Sequence, residues 1–419
     1  MSIPAIGQER DLRPRMLGLV RDEDVLRDVK PLRCGEEGVE TGGTPIPPSV
    51  RGDVSEAEAI DVVQQLVATP SVSGQEREAV ALFASLATNL GLSAEIDDAG
   101  NGVALRAGVP DGAGRLCEIV LLGHIDTVPG EIPVRIEDGV LHGRGSVDAK
   151  GPLAAMLVAA ATADLPAGVA VRVCAAVGEE TPLSPGARFL STRLRPAACI
   201  IGEPSGWDGV TLGYKGTLVI HASAERANAH GAGPGESAPD MLHAWWGRVL
   251  TALAELNHGR VGIFETIQHT IRRMGSFNDG LTESASMTVG FRLPPWMNPH
   301  RLERWIRQRT NEPVRLNAEG HERAIRSERT DAAAQALSVA IREEGGRPRP
   351  KVKTGTADMN VVGPVWRCPI VAYGPGDSEL DHTPVERLEI GEYLRSIRVL
   401  ARGIGLLARQ IADGVLEQE

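Results

Sequence analysis

Five short stretches of this chain each carry an apolar or glycine-rich run into a histidine or a carboxylate. They are Val120-Leu121-Leu122-Gly123-His124-Ile125-Asp126-Thr127, Gly143-Arg144-Gly145-Ser146-Val147-Asp148, Val177-Gly178-Glu179-Glu180, Ile201-Gly202-Glu203-Pro204 and Leu380-Asp381-His382-Thr383-Pro384. Ligands in open α/β sheets gather just beyond the carboxyl ends of the strands. A single His-X-Asp or Glu-Glu usually does no more than meet solvent or loop backbone. Five segments of one chemical type place distant positions on one rim and point to a two-metal hydrolase.

The rest of the pattern supports such a sheet. Ser55 with Glu58 forms a capping-box signature, and Ile60, Val63, Leu66 and Val67 follow at helical spacing. A second amphipathic helix is predicted over Val80 to Leu92. Strands are predicted over Ile119–Leu122, Val169–Val177, Ala198–Ile201 and Pro369–Tyr373. Helices are predicted at the Ala-rich stretch Pro152–Leu165 and at Thr330–Glu344. Alternating strands and helices predict an α/β fold with a mainly parallel sheet covered on both faces. Amphipathic strands at Thr217–Ala222 and Ser286–Leu293, with helices at Met241–Leu256 and Pro299–Thr310, read as an α+β insertion. The expected organisation is a flexible leader over 1–53, one domain in two parts, 54–211 and 324–419, and the insertion over 212–323.

Composition excludes other classes. Asp and Glu number 55 against 44 Lys and Arg, a net charge of −11 that offers phosphate backbones no footprint. No apolar run reaches the roughly 18 residues that cross a membrane. The first residues show no basic-then-apolar signal pattern, so the cytoplasm is expected. Of five scattered cysteines without a Cys-X-X-Cys pair, the four inside apolar runs read as buried free thiols rather than as a disulfide framework.

The five segments divide into ligands and helpers. Imidazole and carboxylate suit zinc. If Asp148 bridges two ions, His124 and Glu203 complete one site and Glu180 and His382 the other. Two divalent ions, three carboxylates and a hydroxide then sum to neutrality, which suits a partly buried cleft. Asp126, two residues after His124, is placed to accept the second ring N–H of that histidine. Glu179, beside the ligand Glu180, is placed to move a proton between water and a leaving nitrogen.

With these residues in hand, the chain from about Ala57 onward resembles the co-catalytic zinc amidohydrolases that include acetylornithine deacetylase, succinyl-diaminopimelate desuccinylase and glutamate carboxypeptidase. The resemblance implies a mostly parallel-sheet zinc-peptidase catalytic domain interrupted by a lid or dimerisation domain. It implies two zinc ions, with cobalt as an alternative, a homodimer, and a cis peptide between Asp148 and Ala149. It gives His230 a role in reaching the substrate carbonyl, although a surface-loop histidine fits the sequence equally well. It also points to Lys215 and to Lys353, Thr354, Gly355 and Thr356 as groups near an anionic end of the substrate.

A narrower match joins Ile125 to Val134, Gly151 to Ala154, Lys353 to Asn360 and Tyr373 to Asp377. It is similar to the subgroup that frees lysine or ornithine from the C-terminal glutamate γ-carboxyl of an acidic amino-group carrier protein. Small acyl amino acids of the acetylornithine type are the alternative substrates. An acidic carrier implies a local basic dock. Arg342, Arg347, Arg349, Lys351 and Lys353 are candidates, as are Arg301, Arg304, Arg307 and Arg309.

Overall fold

The computed structural model describes residues 53–414 other than 232, 311 and 312. The leader expected over 1–53 lies outside the described residues except for Asp53. Helix Glu56–Ala68 begins as the capping box predicts. Ser55 Oγ accepts from Glu58 N at 3.2 Å, and the Glu58 carboxylate accepts from Ser55 N at 3.0 Å. Two N–H groups that a helix start leaves unpaired are thereby satisfied.

A nine-stranded sheet frames the molecule. At its centre Val169–Ala176, Cys117–His124, Ala198–Gly202 and Ile370–Tyr373 lie side by side and parallel. Antiparallel pairing begins at both sides of this core: Gly102–Arg106 pairs with Val169–Ala176 and with Ser93–Ile96, and Gly209–Tyr214 pairs with Ile370–Tyr373 and with Ile325–Arg326. Successive side chains of one strand serve two cores. Ile119 and Leu121 pack with helices Glu56–Ala68, Arg77–Asn89, Lys150–Thr162, Ala332–Glu343 and Ile390–Ala412. Val120 and Leu122 pack with helices Pro185–Arg193 and Asp358–Trp366. Burial on both faces explains why these strands are apolar at nearly every position. Helix Lys150–Thr162 is buried on every side, caught between the sheet and the long helix Ile390–Ala412.

The inserted part is a separate four-stranded antiparallel sheet, ordered Gln268–Asn278, Thr282–Leu293, Gly216–Ala227, Arg315–Glu319. Helices Ala238–Asn257 and Pro299–Arg307 cover it, with Trp245, Val249, Leu302 and Ile306 in one core with Phe291 of the sheet. The expected first residue of the insertion, 212, falls within Gly209–Tyr214, a wholly buried strand of the large sheet. The chain changes sheets at Lys215, where continuous burial gives way to the buried-exposed alternation of Gly216–Ala227. Strand Gln268–Asn278 was not legible beforehand, because ten of its eleven residues are exposed and no apolar pattern marks it.

Cys174, Cys199 and Cys368 are free thiols, as expected, but Cys117 is disulfide-bonded, which corrects the expectation of free thiols for that residue. Among the described residues no helix is long and apolar enough to cross a membrane.

Candidate metal centre and active site

The central strands bring the five segments to one edge. His124 is the last residue of Cys117–His124, Glu203 follows Ala198–Gly202, and Glu179 and Glu180 follow Val169–Ala176. His382 lies in the loop beyond Ile370–Tyr373, with φ at +60°. A non-glycine residue there carries backbone strain of about 1–3 kcal/mol. Asp148 stands just before helix Lys150–Thr162, and the Asp148–Ala149 peptide that leads into the helix is cis. Gly123 and Gly202 let that helix close on the strand ends. A Cβ on Gly202 would stand 2.9 Å from Met156 Sδ.

Asp148 occupies the middle. Its Oδ1 lies 3.1 Å from His124 Nε2, and its Oδ2 lies 3.0 Å from His382 Nε2. Glu203 Oε1 is 3.9 Å from His124 Nε2, and Glu180 Oε1 is 2.9 Å from His382 Nε2. Potential ligand atoms therefore form two triads that share Asp148: His124–Asp148–Glu203 and Asp148–Glu180–His382. Within each triad the atoms lie within 4.8 Å of one another, close enough for one ion at zinc–ligand distances of about 2.0–2.2 Å after small adjustments.

The electrostatics also call for cations. Burial pushes the Glu203 carboxyl up to about 7, with Asp148 adding to the effect. Burial likewise pushes Asp358 up to about 7 and Asp381 up to about 8. The Glu179 carboxyl is raised well above its usual range by burial, against the pull of His124. Buried carboxyls that resist ionisation would be held in their charged form by bound cations. The residues present thus fit two divalent ions.

Supporting residues hold this arrangement, and most were not foreseen. His124 Nδ1 lies 3.0 Å from the Asp126 carbonyl oxygen but 3.5 Å from Oδ1. The ring N–H thus goes to the Asp126 backbone rather than to its carboxylate. That carboxylate instead accepts from Glu179 N at 3.0 Å, Glu180 N at 3.1 Å and Ser73 Oγ at 2.7 Å. Glu386, fully buried, accepts from Val147 N at 2.9 Å and Asp148 N at 3.0 Å through Oε1. Its Oε2 accepts from Arg144 Nη1 at 2.7 Å. Four residues beyond His382, Glu386 therefore sets the turn that presents Asp148.

Between the two sheets lies a cleft of about 670 Å³ that contains Asp148, Glu179, Glu180, Glu203 and His382. Lys353, Thr354, Gly355 and Thr356 line it, and Arg272 and Arg292 line it from the insertion. Arg292 Nη1 donates to Thr356 Oγ1 at 3.1 Å. Lys215 is elsewhere engaged: its ammonium donates to the carbonyls of Ile263 and Thr266 and to Gln268 Oε1. It secures the insertion rather than facing the cleft. His230 sits exposed on the loop after Gly216–Ala227 and is not among the cleft-lining residues. Asn360 Nδ2 donates to Lys215 O at 3.2 Å and to Arg323 O at 2.7 Å, binding the two chains that enter and leave the insertion. Of the basic candidates, Arg349 pairs with Asp208 and Lys351 donates to Ser205 O at 2.6 Å, whereas Arg342 and Arg347 are exposed.

The family profile described as peptidase family M20/M25/M40 matches residues 120–405. The chain belongs to this family of metallohydrolases. It is 47% identical over 353 residues to the [LysW]-lysine hydrolase of Deinococcus radiodurans, spanning 83% of this chain and 96% of that protein. It is 38% identical to a putative [LysW]-lysine/[LysW]-ornithine hydrolase of Thermococcus kodakarensis, over 83% of this chain and 91% of that one. A tripeptidase structure from Staphylococcus aureus superposes with a TM-score of 0.70 at 19% identity, covering 85% of this chain and 100% of that chain. The last likeness speaks for the fold alone.

Proposed function

We propose that this protein hydrolyses the amide that joins the α-amino group of lysine, ornithine or a related amino acid to the C-terminal glutamate γ-carboxyl of an amino-group carrier protein. The observation that carries the chemistry is the sharing of Asp148 between the two triads. The substrate class follows from the relatives of this chain, whose names specify [LysW]-lysine and [LysW]-ornithine.

In this reading His124 and Glu203 hold one ion, Glu180 and His382 the other, and Asp148 both. Two zinc ions, or cobalt in their place, would polarise the scissile carbonyl and make water acidic enough to attack near neutral pH. Glu179 takes the proton from the attacking water and returns it to the departing α-amino nitrogen, a task suited to a half-buried carboxyl with raised proton affinity. Asp126 fixes Glu179 by its backbone. Arg272, Arg292, Lys353 and Thr356 surround the α-carboxylate of the amino acid to be freed. Exposed Arg342 and Arg347 serve as a dock for the acidic carrier.

The insertion acts as a lid and as the site of dimerisation. Strand Gln268–Asn278 is an open sheet edge with Ile271, Met274 and Phe277 exposed. Such an edge is a template for pairing with a second copy. His230 of one copy then reaches the substrate of the other.

The test is direct. Carrier protein charged with lysine or with ornithine is incubated with the zinc-loaded enzyme and weighed by mass spectrometry, beside an assay on N-acetylornithine. A carrier that loses the mass of one amino acid supports the proposal. Hydrolysis of N-acetylornithine with an unchanged carrier replaces it with a small-molecule deacylase.

A further inference from the structure

Away from the cleft, three more potential ligands meet on the insertion. His300 and Glu303 stand on one face of helix Pro299–Arg307, three residues apart, and His321 follows strand Arg315–Glu319. One potential ligand atom from each lies within 4.8 Å of the other two. His321 Nε2 is 2.7 Å from Glu303 Oε2, and the His300 and His321 rings stack with centroids 4.3 Å apart and planes 13° from parallel. Asn298 caps the helix at His300 N and Arg301 N, so the first turn that carries His300 is held in place.

We propose that His300, Glu303 and His321 form a third divalent-metal site, of the zinc class, separate from the catalytic pair. Two imidazoles and one carboxylate are a zinc-type donor set that leaves a position for water. The ion takes the place of the hydrogen bond between His321 Nε2 and Glu303 Oε2. Stacked rings hold their nitrogen lone pairs in nearly parallel planes, so one ring must turn for both to converge. His300 is exposed, and the torsion about a histidine ring is broad. Glu303 keeps its other oxygen on Arg307 at 2.8 Å, a bond that orients the carboxylate behind the ion.

The position gives the ion something to hold. His321 lies between Gly320 and Glu322, which both line the cleft, and Thr217 N donates to Glu322 O at 2.9 Å. An ion there ties the helix of the insertion to the chain that returns to the large sheet.

The experiment counts metal. Full-length enzyme is stripped with a chelator, titrated with zinc, desalted and analysed for zinc per chain, with thermal midpoints recorded at each step. The parent should bind three zinc ions, and the His300→Ala, His321→Ala double variant two, with loss of the midpoint gain that accompanies the third. Glu303→Gln, which keeps the shape of the helix, should weaken the third binding step at least tenfold. His382→Ala should lose a catalytic ion and keep this one, so that failure of the catalytic assignment is read separately. A parent saturating at two ions, or a double variant that still binds three, overturns the proposal.

Discussion

The Asp126 carboxylate accepts the backbone N–H of Glu179 at 3.0 Å. Its other oxygen accepts from Glu180 N, so one buried side chain aims the proposed base and an adjacent proposed ligand together. An asparagine in its place would turn an amide N–H toward one of those donors. Asp126→Asn should therefore lower kcat by about 10–100-fold, the usual effect of losing a group that orients a metal site. A kcat within twofold of the parent would show that the loop holds itself.

Glu179→Gln preserves size and leaves the two ligand triads untouched. It should retain both metal ions while turnover falls by about 10²–10⁴-fold, the usual worth of a positioned general acid-base group. Zinc analysis beside single-turnover kinetics checks both halves. Substantial turnover would assign the proton transfer to another group.

Chelation should remove activity, and zinc or cobalt should restore it. His382→Ala should return to one catalytic ion rather than two on reloading, because Glu180 and Asp148 alone leave the second triad without a nitrogen donor. Full restoration of both would remove His382 from the centre.

Glu386 and Arg144 form a buried ion pair whose carboxylate also fixes the Asp148 turn. Glu386→Ala strands the arginine and two backbone N–H groups, which should cost roughly 3–5 kcal/mol of stability. Glu386→Gln keeps an acceptor for Val147 N and Asp148 N and should retain more activity than the alanine variant. Denaturant unfolding and kcat measured on both variants check this, and equal activities would discount the turn.

Arg292→Ala should raise KM for a lysine-charged carrier by at least about tenfold, since a charge-assisted hydrogen bond contributes about 1.5–3 kcal/mol. A carrier charged with a diamine that lacks the α-carboxylate should not distinguish parent from variant. Equal losses on both substrates would place Arg292 in the packing of the insertion.

The sequence discloses those parts of the site that depend on local pattern. A strand that ends at His124 or runs out just before Glu203 announces its rim position within a few residues, because parallel central strands are apolar throughout. Asp126 was legible as a helper, but not as the support of a loop more than fifty residues away. Glu386 follows a proposed ligand closely, yet its partners at Val147 and Asp148 come from the far side of the fold. Nothing local marks that role. Arg292 reads as an ordinary polar position on a predicted strand, and Arg272 lies on a strand that no apolar pattern marks, until the second sheet is seen facing the first. Lys215 misled for the converse reason: a lysine beside a cleft-lining segment looks available until the carbonyls of Ile263 and Thr266 are found to receive it.

Asn360 has a mechanical meaning beyond its hydrogen bonds. Both connections of the insertion are gripped by the same amide group. A motion of the two sheets that keeps both bonds would be a rotation about this point, which would widen the far mouth of the cleft most and disturb the floor near Asp148 least.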